Sequence, residues 1–238
     1  MAKSGHKTAA PGLHAGHRER LRQKYTKLQN LDHLPEHEVL EYMLSFSLPR
    51  GDVNPMAHAL IAYFGSFANV LEADSAELMQ VNGVGERTAA YLQAQLSFYR
   101  YYMQNRWQPG KKLNATNDWG KYAVSLFIGN KQETFYAIFL NSKKELITAE
   151  MINVGNNREV TVYTDVLVKT ALKYPTAAGV VFAHNHPGGS LKPSREDIDL
   201  TRHLSVGLSY IMKKVVDHVI VAGSEYYSLL ENNIMPKS

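Results

Sequence analysis

The run Ala178-Gly179-Val180-Val181-Phe182-Ala183 constrains this chain more than any other stretch, being short, apolar and valine-rich, with Pro175 behind it and Pro187 ahead. Such a run reads as a buried strand that ends in a loop. His184 and His186 stand at its tip. Side chains alternate faces along a strand, so residues spaced i and i+2 project the same way, with Asn185 opposed. Both imidazoles can therefore reach one ion.

A third ligand follows the turn. Pro193-Ser194 and then Asp197 open a helical pattern in which Ile198, Thr201, Leu204, Ser205, Leu208 and Ile211 share one stripe, so Asp197 falls in the first turn. Two imidazoles and a carboxylate form the kind of set that leaves zinc an open position for water, the catalytic rather than the structural arrangement. Metal-assisted hydrolysis is the leading chemistry. Each residue also has a plainer reading: a lone histidine on a strand is ordinarily a satisfied core residue, and Ser194 with Asp197 reads equally as a helix-capping pair. Paired imidazoles beside a Pro/Gly-rich loop add no obvious stability, which favours the metal site.

The spacing His184-x-His186-Pro187 with Ser194-x-x-Asp197 resembles the JAMM (MPN+) metalloprotease motif. The wording His-Asn-His-Pro-Gly with Pro-Ser-Arg-Glu-Asp is similar to its bacterial RadC branch. The resemblance runs from about Leu113 to the C-terminus, and more loosely over the helical region before it. It implies one zinc per chain held by His184, His186 and Asp197, and a peptide or protein substrate. Glu133 matches the family's general base, which takes a proton from the attacking water and delivers it to the leaving amine; Glu159 is its rival. Ser194 matches the residue that stabilises the oxyanion. His218 reads as a packed strand histidine that could support a ligand, and stays outside the catalytic set. Asn185 stands where eukaryotic deubiquitinating relatives tend to have Ser or Thr, which argues against ubiquitin-like substrates.

Composition narrows the alternatives. The chain has 238 residues, 45% of them hydrophobic, enough for two modest domains, and it has no cysteine. Disulfides and thiolate metal sites are thereby excluded, and with them a zinc nucleobase deaminase, whose Pro-Cys-x-x-Cys ligands are missing. No apolar run approaches membrane-spanning length and the N-terminus lacks a secretory apolar core, so a cytoplasmic protein without membrane contact is expected.

The expected class is α/β: a C-terminal mixed-sheet domain of JAMM, cytidine-deaminase-like type over residues 113–238, preceded by a small all-α domain over 17–108 and a flexible basic tail over 1–16. Gln108-Pro109-Gly110-Lys111-Lys112 is the expected boundary. In the helical part, Leu78 to Leu92 resembles a helix-hairpin-helix motif, with Gly83 and Gly85 forming a tight turn whose following amides can face a phosphate. Together with the RadC resemblance this implies an alternative function, a DNA-repair or recombination accessory protein. Charge argues against it. Residues 31–110 carry nine carboxylates against four arginines, whereas nucleic-acid affinity comes largely from neutralising phosphates. The stretch Phe98 to Trp107 interleaves aromatics with Arg100 and Arg106 and suits either base stacking or docking.

For the C-terminal part the patterns predict a helix capped by Asn117 and ended by Gly129, then strands over Glu133–Leu140 and Glu145–Val154 joined at Asn141–Lys144. A helix over Arg158–Tyr174 follows, then the ligand strand, the helix from Ser194, and closing strands over Val215–Ala222 and Tyr226–Leu230.

Overall fold

The computed structural model describes residues 17–28, 30–48, 50–154 and 163–236. The tail expected over 1–16, the rival base Glu159 and the start of the helix expected from Arg158 lie outside them. The chain divides into two compact units, Met1–Leu96 and Ser97–Ser238.

The first unit is helical: α1 (His17–Leu28), α2 (Glu36–Ser47), α3 (Asn54–Phe64), α4 (Phe67–Glu72), α5 (Ser75–Leu78) and the start of α6 (Glu86–Asn105). Local chemistry sets the breaks. Pro55 occupies the first turn of α3, where its missing N–H costs nothing, and Gly65 ends that helix with φ 85°. Ser66 caps α4 by accepting from the Asn69 amide at 3.1 Å. Leu40, Leu44, Ala57, Leu60, Val70, Leu78 and Leu92 form the core. In the turn before α6, Gly83 takes φ 88°, while Gly85 does not need a left-handed backbone. Gly85 instead offers its carbonyl to the Thr88 and Ala89 amides at the head of α6. Only one of the two glycines is thus required by the turn itself.

The second unit is a five-stranded mixed sheet, β1 (Thr134–Asn141), β2 (Leu146–Val154), β3 (Ala177–Asn185), β4 (Lys214–Ala222) and β5 (Glu225–Ser228), in the order β2-β1-β3-β4-β5. Only β3 and β4 run parallel. Helix α7 (Thr116–Phe127) packs on β3, β4 and β5, whereas α8 (Thr164–Leu172) meets β2 and α9 (Arg195–Ser209) meets β4. Alternation along the strands sorts the core into two layers. Val181, Ala183, Ile138 and Val219 join Trp119, Tyr122 and Leu126 of α7. Val180, Phe182, Phe135 and Phe139 join Leu167, Leu204 and Leu208 of α8 and α9.

Helix α7 starts at Thr116 with Ala115 at its cap position, two residues earlier than a cap at Asn117 would set it. The carboxylate of Asp118 accepts from the amides of Asn114 and Ala115 at 2.8 and 3.1 Å, and so holds the helix start that Asn117 was expected to cap. Gly120 on this helix gives room for the Tyr226 ring, which a Cβ would approach to 2.5 Å. The 108–112 segment is tied down: Gly110 and Lys111 exchange hydrogen bonds with Leu146 at 2.8 Å, and Lys111 Nζ lies 4.0 Å from the centre of the Trp107 ring. Among the described residues no helix is long and apolar enough to cross a membrane.

Candidate metal centre

Strand β3 lies in the middle of the sheet and ends at Asn185, with Pro187 two residues on. The His186 amide donates to Val221 O at 2.8 Å, and Gly189, at φ 84°, donates to His186 O at 3.0 Å, closing the loop. These bonds bring the two imidazoles together, with their Nε2 atoms 2.9 Å apart. Asp197 enters from the first turn of α9, its Oδ1 lying 3.1 Å from His184 Nε2 and its Oδ2 lying 3.6 Å from His186 Nε2.

The protons on this cluster can be placed by elimination. His186 Nδ1 is 2.7 Å from the carbonyl of Ser190, which can only accept, so Nδ1 carries the hydrogen and Nε2 of the neutral ring is bare. That bare nitrogen faces His184 Nε2 and a carboxylate. Lone pairs converging at 2.9–3.6 Å repel unless a proton or a cation sits among them. A tetrahedral zinc ion with bonds of roughly 2.1 Å would hold its ligand atoms about 3.4 Å apart, so the donor set fits such an ion with little adjustment.

The proton affinities show the same frustration. Hydrogen bonding to Asp197 raises the His186 pKa above its ordinary value, outweighing the opposing effect of burial. Burial pushes the Asp197 carboxyl up, but hydrogen bonds from His184, His186 and Ser194, with the His184 charge, outweigh it and hold the group well below the usual carboxylate range.

Ser194 is the N-cap of α9. Its hydroxyl accepts from the Asp197 amide at 3.0 Å, and both its amide and its hydroxyl donate to Asp197 Oδ2 at 2.7 Å. Asp197 Oδ2 is thereby occupied and Oδ1 is left facing His184. In this arrangement the hydroxyl hydrogen of Ser194 points at Asp197, so donating to an oxyanion would require it to turn.

Glu133 immediately precedes β1, and one of its carboxylate oxygens lies within 4.8 Å of ligand nitrogens of both His184 and His186. Asn185, between the two histidines, fixes the backbone on either side of Glu133. Its Oδ1 accepts from the Thr134 amide at 2.9 Å and its Nδ2 donates to Gln132 O at 3.0 Å.

His218, kept outside the catalytic set on sequence grounds as a histidine that could support a ligand, lies against this cluster. His218, fully buried on β4, lies with its Nε2 2.7 Å from His184 Nδ1. Its Nδ1 is 2.5 Å from the hydroxyl of Thr201 on α9, which itself donates to Asp197 O at 2.6 Å. Burial, with the His184 charge beside it, keeps the His218 pKa well below its usual value, so the ring is neutral. On the opposite face, buried Asp217 accepts from Trp119 Nε1 at 2.8 Å, Ser228 Oγ at 2.5 Å and the His218 and Leu230 amides at 2.7 and 2.9 Å. An Asp-His pair inside an otherwise apolar strand was the signal available in the sequence. Gly83 and Gly85 lie in the first unit and take no part in this cluster.

Comparison with known proteins agrees with this architecture. Residues 113–234 match the family model described as a RadC-like JAB domain. A UPF0758 protein of Fusobacterium nucleatum is 30% identical, over 92% of this chain and 97% of its own. UPF0758 proteins of Janthinobacterium sp. (strain Marseille) and Herminiimonas arsenicoxydans are 34% and 33% identical, over 84% and 83% of this chain and 88% of each of theirs. With its mixed sheet, its preceding helices and a similarity that spans most of its length, the chain belongs to the RadC family.

Proposed function

We propose that the C-terminal unit is a zinc-dependent hydrolase of peptide or isopeptide bonds. The observation that supports this most strongly is the convergence of His184 Nε2, His186 Nε2 and Asp197 Oδ1, with Nδ1 of His186 committed to a carbonyl. His184, His186 and Asp197 would hold the ion. When bound, the ion acidifies water towards neutral pH and polarises the substrate carbonyl.

The rest is the work of the chain's own groups. The Glu133 carboxylate, close to both imidazoles, takes the proton of the attacking water and returns it to the leaving nitrogen. The Ser194 hydroxyl, released from Asp197 Oδ2, donates to the oxygen that gains charge. Asn185 keeps Glu133 in place from the backbone. The reading is tested with a peptide library and an isopeptide-linked substrate, comparing zinc-loaded wild type with Glu133→Gln. Cleavage is expected in the first and a loss of at least about a hundredfold in the second, the usual worth of a general base. Equal rates for the two proteins would contradict the role of Glu133.

A second reading, contact with single-stranded nucleic acid, is favoured by one observation. Phe98, Tyr99, Tyr101 and Tyr102 of α6 are exposed, and Arg106 lies 5.9 Å over the Tyr102 ring. Salt-sensitive binding of an oligonucleotide, lost in Tyr101→Ala/Tyr102→Ala, would support it, and a dependence on Gly83 would extend it to the turn before α6. Binding that is absent at low salt would remove it.

A further inference from the structure

We infer that Thr201 and His218 are positioning residues that set which nitrogen of His184 carries its hydrogen. This inference rests on the metal-centre reading above. To bind an ion through Nε2, a neutral His184 must hold its hydrogen on Nδ1, which is the less common form of a histidine in water. The protein therefore has to present an acceptor at Nδ1. A carboxylate or a carbonyl ordinarily does this for a metal-binding histidine. Here the group at Nδ1 is another imidazole, His218, at 2.7 Å.

An imidazole can accept only at its bare nitrogen, so the outcome depends on the far side of the His218 ring. There, His218 Nδ1 meets Thr201 Oγ1 at 2.5 Å, and the same hydroxyl lies 2.6 Å from Asp197 O. A carbonyl only accepts, so the Thr201 hydrogen goes to Asp197 and its lone pair faces His218. The directions then follow in order. His218 donates from Nδ1 to Thr201, its Nε2 is bare and accepts from His184 Nδ1, and His184 Nε2 is left free to face His186 and Asp197.

Turning the Thr201 hydrogen towards His218 would reverse every bond. It would put a hydrogen on His184 Nε2, where the ion has to bind. The Asp197 carbonyl separates the two arrangements, so the residue that offers a ligand oxygen also anchors the relay that prepares another ligand. The relay joins α9, β4 and β3 through side chains that are all buried. A packing role alone would not explain an imidazole in this place. His218 lies among Phe135 and Phe182, with ring centres 5.5 and 5.8 Å away, where an apolar side chain would avoid the cost of burying two polar nitrogens.

The test combines histidine 15N NMR of the zinc-free full-length protein with zinc affinity measured by competition against a chromophoric chelator. It uses wild type, Thr201→Val and Thr201→Ser. Wild type and Thr201→Ser are expected to show the hydrogen on Nδ1 of both His184 and His218. Thr201→Val, folded by circular dichroism, is expected to move the His218 hydrogen to Nε2 and to weaken zinc binding about 10- to 100-fold, the usual effect of removing such support. Wild type that binds zinc while His218 carries its hydrogen on Nε2 overturns the relay alone. So does Thr201→Val with wild-type tautomers and affinity. Wild type that takes up no zinc overturns the centre and the relay with it. The wild-type spectrum decides even if Thr201→Val fails to fold.

Discussion

Asn185 Oδ1 accepts a hydrogen bond from the backbone N–H of Thr134 at 2.9 Å, tying the tip of β3 to the start of β1. Its Nδ2 holds Gln132 O at 3.0 Å, so the residue between the two imidazoles carries Glu133 on a two-point mount. Asn185→Ala removes both bonds from a buried place and should cost about 1–3 kcal/mol in urea unfolding. Zinc uptake should persist, because no ligand is touched, while hydrolysis falls as Glu133 loses its fixed position. Loss of zinc uptake in a folded Asn185→Ala protein would contradict this division of roles.

Ser194→Ala deletes the side-chain cap of α9 and the hydroxyl bond to Asp197 Oδ2. Loss of the cap alone should cost about 1 kcal/mol. Zinc affinity should also fall, because of the two Ser194 groups that donate to Asp197 Oδ2 only the amide remains to hold its rotamer. Ser194→Thr, which keeps the hydroxyl, should restore both stability and affinity. Stability by denaturation and affinity by chelator competition check the two effects separately.

Asp217 anchors the opposite face of β4 through four donors from α7, β4, β5 and the segment after it. Asp217→Asn turns an NH2 group either towards the His218 and Leu230 amides or towards Trp119 Nε1 and the Ser228 hydroxyl, so that at least one donor-only N–H loses its acceptor. It should destabilise by about 2–4 kcal/mol, with Trp119 fluorescence reporting the change. Because His218 follows Asp217 directly, zinc affinity should fall as well. An Asp217→Asn protein as stable as wild type would show the carboxylate to be dispensable.

The acid range should distinguish zinc-free from zinc-bound protein. In the zinc-free form the His186 pKa is raised and that of Asp197 lowered. The raised imidazole contributes stability that is complete below its unfolded value, about 6.5, and is lost as pH rises through its higher folded value. The lowered carboxylate contributes stability that is present above its unfolded value, about 3.9, and is lost as pH falls through its folded value. Zinc-free protein should therefore gain most from this pair at about pH 4–6.5, between those two unfolded values. Zinc must displace the His186 proton, so apparent affinity should fall up to about tenfold per pH unit below the His186 pKa. Thermal melts and zinc titrations across this range check both slopes.

The clustering of the candidate ligands was legible in the sequence wherever its geometry is local. His184 and His186 share a face because a strand repeats every two residues, and Asp197 lies in the first helical turn because Ser194 starts that helix. His218 was legible only as a strand histidine that could support a ligand, with no sign of which one. Its approach to His184 depends on the parallel register in which Phe182 pairs with His218 and His184 with Ile220, set by the crossover through α9. The hold of Asn185 on the flanks of Glu133 depends in the same way on the antiparallel register that sets Phe135 opposite His184. Asn117 looked like a cap because its side chain suits one, but Asp118, one residue on, reaches the free amides instead.

The central claim is that His184, His186 and Asp197 form one metal centre, and elemental analysis of purified protein tests it most directly. Wild type should hold about one zinc per chain, and His186→Ala and Asp197→Ala, both folded, should hold little or none. Wild-type protein that stays free of zinc after incubation with the ion, or variants that retain the full amount, would contradict it.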